Sequence, residues 1–557
     1  MGIGGACILS IISFNRFINK FVRSLKQEIR FRLNAWTVAA LLVGLVIFIP
    51  VSEVFWHIGQ STENWEHLKD TVLGKYLKGT LILVLGTVTL SVLVGVLCAW
   101  LVACCEFPGR RFFEWALILP LAIPTFIAAY AYFDLLDKLI PVRIWVRENI
   151  SPDAMISLNE ALPYIVTILV LASVLYPYVY LVARAAFTRQ GNQYVEASQT
   201  LGHAPKSIFW RVALPLARPA IVAGASLVVM ETLNDYGAVQ HFNVPSFTTG
   251  IFRTWLSLND MAGALRLASF LMLFILIILL LEKLLRSGAR YHGDKKSTIP
   301  FRRYPLGKVK SLLAILCCLP PLVFGFLYPV WRLGVWAYET LGQKTFDQTD
   351  YLKLALNSMG LAIVASLVTV LIALLLVFAA RYFKSHAVHF SNRLAILGYS
   401  VPGAVIAMGI LHLNGKINSA LDIVVTGSLL TLVAAYIIRF LAVAWQSLDS
   451  GMERNCGQFN EASKSLGASA FTSLFRINVP LLRNALFVAG LLVFVDIMKE
   501  LPLTLILRPF NFETLSTRTF DLAFQSKIPE SSVPALCIVL AVIVPVVWLN
   551  RKIETGK

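Results

Sequence analysis

Residues 192–218 read NQYVEASQTLGHAPKSIFWRVALPLAR, and residues 457–483 read GQFNEASKSLGASAFTSLFRINVPLLR. The two stretches lie 265 positions apart. Glu196-Ala197-Ser198 corresponds to Glu461-Ala462-Ser463, Gly202 to Gly467 and Pro215 to Pro480. Leu201 and Leu466, Arg211 and Arg476, and Arg218 and Arg483 also match. Asn192 and Gly457 hold equivalent places, and both residue types cap helix N-termini. Gly202 and Gly467 then suit a left-handed helix stop. A second short helix is expected from Pro205, a good first-turn residue, towards Pro215, where the next apolar run begins. Helices this short do not hold alone and need a packing partner. A duplicated polar stretch in an apolar chain points to something outside the bilayer that comes in pairs.

The surroundings are apolar. Of 557 residues 57% are hydrophobic and 14% charged, with a mean hydropathy of +0.72. Soluble domains carry about 25% charged residues, so the balance describes a polytopic membrane protein. Twelve runs are long enough to span: approximately 35–52, 79–105, 113–135, 161–184, 214–239, 264–282, 311–332, 354–380, 392–413, 420–447, 480–507 and 533–550. Gly79 to Cys105 and Leu354 to Ala380 contain no charge. Such runs are too long for barrel strands of about 9–11 residues. The expected fold is an all-α polytopic membrane protein of about twelve transmembrane helices.

The net charge of +18 is distributed by side of the membrane. Arg16, Lys20, Arg23, Lys26, Arg30 and Arg32 precede the first span, Arg110 and Arg111 follow the second, and residues 283–310 hold nine Lys and Arg. Basic loops stay in the cytoplasm. That puts both termini, and both Glu-Ala-Ser segments, on the cytoplasmic side. The same bias assigns the basic linker to lipid headgroups and not to nucleic acid.

The duplication extends beyond the loops. Tyr76-Leu77-Lys78 opens the second span and Tyr351-Leu352-Lys353 the eighth; Ala122-Ile123-Pro124 parallels Ser400-Val401-Pro402. Pro124 and Pro402 are expected to kink the third and ninth spans. The organisation expected is a basic cytoplasmic segment 1–34, a first six-helix half 35–290 with its loop 190–214, a basic linker 291–310, and a second half 311–557 with its loop 455–479. Six helices is an even number, so the halves are parallel repeats about an axis along the membrane normal.

Charges also lie within spans. Glu231 and Asp235 sit in the fifth, and Asp496, Lys499 and Glu500 in the eleventh. At the 265 offset Glu231 matches Asp496, Asp235 matches Glu500, and Lys499 faces Asn234. Acids four apart share a helix face, and intramembrane charge faces a partner, water or a path. These five are candidate pathway or gate residues near the outer surface. The alternative is internal salt bridging through Lys499 or Arg439. The eight cysteines lack metal-ligand spacing and read as packing residues, and His386 and His389 read as a solvated loop. No G-x-x-x-x-G-K-[ST] phosphate loop is present. Nor is there a nucleophile elbow or an H-E-x-x-H motif, so the chain reads as a non-enzyme.

The Glu-Ala-Ser loop with Gly six residues on and Pro nineteen on resembles the Glu-Ala-Ala loop of permease subunits in binding-protein-dependent ABC importers. In that family the loop docks in a cleft of a separate ATPase subunit. The resemblance gives docking roles to Glu196, Ala197, Ser198, Gly202, Arg211 and Pro215, and to Glu461, Ala462, Ser463, Gly467, Arg476 and Pro480. It implies a fused permease in a bacterial cytoplasmic (inner) membrane that meets two ATPase copies. The ATPase uses ATP and Mg2+, and this chain binds no cofactor. Residues 229–239 and 247–251, and the run from Asp496-Ile497-Met498-Lys499-Glu500-Leu501-Pro502 to Phe512, resemble the ferric-iron branch. That implies Fe3+ delivered by an external iron-binding protein. Relatives that carry thiamine, phosphonates or polyamines share the docking loops. An ion-coupled secondary transporter would also have twelve spans and a duplicated half.

Overall fold

The computed structural model describes residues 34–60, 65–189, 208–286, 303–342, 348–383 and 385–555. Helices dominate them. The only strands among the described residues are a two-residue parallel pair, Cys105–Glu106 beside Tyr304–Pro305. Ten helices are long and apolar enough to cross a membrane, and two bent pairs bring the number to twelve if each is one span. Without water, a spanning backbone must satisfy its own hydrogen bonds, so these apolar runs become helices. The charge-free run from Gly79 lies inside a helical stretch of 40 residues, Trp65–Cys104. At 1.5 Å per residue it is about 60 Å long, twice the hydrocarbon thickness. Its charged first turns therefore extend beyond the core.

The kinks expected at Pro124 and Pro402 are sharper than kinks. Arg110–Ala122 meets Thr125–Ala131 at 94°, and Val388–Ser400 meets Gly403–Leu421 at 112°. Proline has no N–H, and its ring pushes the preceding residue out of the helical region. Ile123 is accordingly extended, with ψ 121°.

Other ends also differ from hydropathy. The fifth span, expected over 214–239, stops at Asn234, and the eleventh, expected over 480–507, stops at Lys499. Short helices Gly237–His241 and Pro502–Leu507 follow. The ninth span's second limb runs to Leu421, taking in Gly415-Lys416, where a loop was expected. The tenth begins at Leu429 behind Ser428, whose hydroxyl accepts from Thr431 N at 3.2 Å. Apolar residues resume soon after Asn234-Asp235 and directly after Lys499-Glu500, so a hydropathy window runs across these two breaks.

By packing, the chain divides into two compact units. One comprises the described residues up to Phe55 with Gly360–Val401 and Gly409–Ile497; the other comprises Trp56–Met359, Pro402–Met408 and Met498–Lys557. This division crosses the sequence repeat. The first helix, Ala35–Trp56, lies almost wholly in the unit otherwise built from the second repeat. There Ser391 Oγ donates to Ala40 O at 2.6 Å, and Arg381 binds Asp449 through two 2.7 Å hydrogen bonds. In the larger unit, helices Gly74–Cys104, Pro152–Arg189 and Leu214–Asn234 pack closely. A Cβ on Gly95 would lie 2.8 Å from Val179 Cβ, and one on Gly224 would lie 2.8 Å from Val179 Cα. Small residues permit such close backbone approach in membranes, where packing replaces the hydrophobic drive.

Candidate functional site

Asp235 and Glu500 lie just past the ends of their spans. Asp235 has ψ 124°, so the helix that holds Glu231 ends before it. The helix face expected to join Glu231 to Asp235, and Asp496 to Glu500, therefore does not extend that far. Both outer acids instead turn to the next helix. Asp235 Oδ1 accepts from Ala238 N at 3.0 Å and Val239 N at 3.2 Å, and Oδ2 accepts from the Thr125 hydroxyl. Glu500 Oε1 accepts from Leu503 N at 3.2 Å. In each repeat the carboxylate meets the amide three residues on, at a helix N-terminus whose dipole favours negative charge. Both acids are buried, at 6% and 5% exposure, so these charge-assisted bonds replace lost water. Glu231 and Asp496 are half-buried within their spans.

The residue before each acid reaches the broken span of the other repeat. Asn234 Oδ1 accepts from Gly403 N at 2.8 Å, the amide that follows Pro402. Lys499 Nζ donates to Leu121 O at 3.3 Å, in the turn before Pro124. Within the second break, Arg439 Nη1 donates to Val401 O at 3.2 Å. A broken membrane helix leaves amides and carbonyls that must find partners. The Asn/Lys asymmetry follows from this: an amide needs an acceptor and a carbonyl a donor. Lys499 and Arg439, considered above as salt-bridge partners for the acids, each also reach a backbone carbonyl.

A second layer was not seen in the sequence. Ser246 with Thr249, and Thr514 with Thr517, form matching capping boxes on Phe247–Leu256 and Leu515–Phe524. Thr80 Oγ1 accepts from Phe247 N at 3.1 Å, and Ser358 Oγ from Leu515 N at 2.7 Å. Thr248 donates to Asp235 O at 2.9 Å, and Ser516 to Met498 O at 2.8 Å. The S/T-x-x-T spacing of the two boxes was the available signal; their tertiary partners gave none.

Of the two Glu-Ala-Ser loops, Glu196, Ala197, Ser198 and Gly202 lie outside the described residues. The second loop is described in full. Gly457–Ser465 is a helix capped at Cys456, one residue earlier than expected. Gly467 has φ +73°, the left-handed stop anticipated for it. The short helix expected next does not stand apart. From Ala470 the chain runs helically through a π-turn, Ser473–Asn478, into Val479–Lys499. The first copy has the same π-turn at Phe209–Ala213, again two residues before its proline. A widened turn relieves the clash of the proline ring with the carbonyl four residues back.

Ser463 faces inward at 3% exposure, with its Oγ 2.5 Å from Ser473 Oγ. Asn478 Nδ2 donates to Asn460 Oδ1 at 2.9 Å, and Lys464 Nζ to Tyr382 O. These bonds hold the loop helix on its own unit and leave Glu461, Ala462 and Gly467 on the outside. Phe459, Leu466, Phe471 and Phe475 are exposed by 54%, 87%, 63% and 50%. Arg476 and Pro480 lie at least partly at the surface, as do Arg211 and Pro215 in the first copy, where Trp210 stands at the place of Phe475.

The chain belongs to a known family, described as "Binding-protein-dependent transport system inner membrane component", which matches residues 69–291 and again 377–554. It is therefore a multi-pass permease component with two copies of that domain. It is similar to the Fe(3+)-transport system permease protein FbpB 2 of Haemophilus influenzae, 28% identical over 520 residues, 92% of this chain and 97% of that one. The sulfate transport system permease protein CysT of Escherichia coli is 27% identical over 201 residues, 36% of this chain and 70% of its own. The molybdenum transport system permease protein ModB of Escherichia coli is 26% identical over 214 residues, 37% and 91% respectively.

Proposed function

We propose that this chain is the membrane-spanning subunit of an ATP-driven ferric-iron importer of the bacterial cytoplasmic membrane, with both termini in the cytoplasm. The carrying observation is the end-to-end similarity to a Fe(3+)-transport permease, against partial matches to the sulfate and molybdenum permeases. Iron arrives from an external binding protein. Energy comes from ATP and Mg2+ on two copies of a separate ATPase, one at each Glu-Ala-Ser loop. Glu196, Ala197, Gly202, Arg211 and Pro215, with Glu461, Ala462, Gly467, Arg476 and Pro480, present the docking surfaces. The exposed apolar cluster around Leu466 supports this role, because apolar side chains on a polar loop mark a protein contact. Ser198 and Ser463 take a positioning part, supported by the Ser463–Ser473 bond.

Glu231, Asp235, Asp496, Lys499 and Glu500 belong to the outer gate in this reading. Asp235, Glu500 and Lys499 fix the broken helix ends that ATPase closure moves. The docking claim is tested by co-purification from membranes containing the ATPase. Wild type is expected to retain two ATPase copies, and Glu196→Ala with Glu461→Ala together to lose them. Full retention by the double variant would remove the docking assignment.

A further inference from the structure

In the larger packing unit, beside the Asp235 network, lies a cavity of about 310 Å3. Tyr130, Phe133, Gln240, His241, Phe520 and Ser526 line it. Tyr130 is only 2% exposed. Among the described residues its hydroxyl, the Gln240 amide and the His241 imidazole have no hydrogen-bond partner in the protein. Tyr130 is buried, and the half-buried Gln240 and His241 bring two more polar side chains to the same cavity. The imidazole packs edge-on to the Tyr130 ring at 5.0 Å between centroids.

The surroundings select the sign of that occupant. No Lys or Arg lines the cavity. The ten-residue helix Leu515–Phe524 points its C-terminal end there. It closes at Ser526, with φ +63°, through Lys527 N to Leu522 O at 2.8 Å. The short helix Gly237–His241 ends in the same way, with Val244 N on Val239 O at 3.0 Å. Helix C-termini carry partial negative charge and favour cations. The acids that act electrostatically on Tyr130 are Asp235 and Asp521, the latter bound to Arg508 at 3.0 Å.

We infer that this cavity is a transit site for the ferric ion, with the Tyr130 phenolate oxygen, the His241 imidazole and the Gln240 carbonyl oxygen as its protein donors. The inference rests on the ferric-iron reading above. Fe3+ is a hard cation suited to oxygen donors, with imidazole a competent partner. On binding, the Tyr130 phenol loses its proton to water and the iron stays ferric. Three donors leave coordination positions to water, which suits a site an ion must leave as readily as it enters.

The test uses the full chain in nanodiscs of phosphatidylethanolamine and phosphatidylglycerol, titrated with ferric nitrilotriacetate. Wild type is expected to develop a visible phenolate-to-iron absorption band and to retain iron. Tyr130→Phe keeps the ring packing but should abolish the band and weaken retention by at least about tenfold, since loss of even an outer-shell partner costs that much. His241→Gln should keep the band and shift it. An unchanged band in Tyr130→Phe overturns the site, as does a wild type without band or retained iron that still imports iron with its partners. A complete system that imports no iron fails at the ferric reading itself, and the site falls with it.

Discussion

Asp235 and Glu500 perform one task in two repeats: each carboxylate caps a short helix at the amide three residues on. Burial makes that acceptor expensive to remove, because an unsatisfied buried donor costs about 1–3 kcal/mol. Asp235→Ala strips an acceptor from Ala238 N, Val239 N and the Thr125 hydroxyl. It should lower thermal stability in detergent by about that amount, whereas Asp235→Asn, which keeps an acceptor oxygen, should lose clearly less. Equal melting of Asp235→Ala and wild type would show that the cap carries no stability. The sequence made these acids visible, because charge within an apolar run at a fixed offset is rare. It did not reveal Thr125, Thr248 or Ser516, since hydroxyls are common in membrane helices and their partners are set by tertiary packing. Lys499 and Asn234 were legible as a mismatch, and the structure supplies the reason: one meets a carbonyl and the other an amide.

At the scale of elements, breaks carry the architecture. The third and ninth spans turn at Pro124 and Pro402, and the fifth and eleventh give way to short capped helices. Hydropathy located all of these segments but ran through their ends, because Tyr236 to Val239 and Leu501 to Leu507 are as apolar as the spans before them. The helix of the second Glu-Ala-Ser loop was legible from its cap position and from Gly467, whose left-handed backbone follows Gly457–Ser465. A β-branched residue there meets a left-handed penalty of about 1–2 kcal/mol. Gly467→Val is expected to reduce ATPase co-purification while leaving the melting of the membrane helices within about 2 kcal/mol of wild type. Normal ATPase retention by Gly467→Val would mean that the stop geometry is not part of the contact.

Across the whole molecule, the repeat read from sequence and the units read from packing describe different things. The repeat records the duplication of a permease domain, which the family matches over 69–291 and 377–554 confirm. The units record which helices touch, and they place the first helix with 360–497 and the last segment with 56–359. No spacing in the chain announces that exchange, because apolar helices show which face is lipid-compatible but not which neighbour covers it. The proposed function has the same split: in it the doubled loops speak for the class of machine, and residues near Asp235 and Glu500 for its cargo. The central claim is that ATP on a partner drives ferric iron through this chain. Its most direct measurement is radioactive iron uptake into proteoliposomes holding the chain and its ATPase, supplied with the iron-loaded binding protein. The account predicts accumulation that requires ATP, survives collapse of the proton gradient and disappears in the Glu196→Ala, Glu461→Ala double variant. Iron uptake that follows the proton gradient without ATP, or ATP-driven uptake of another solute with none of iron, would contradict it.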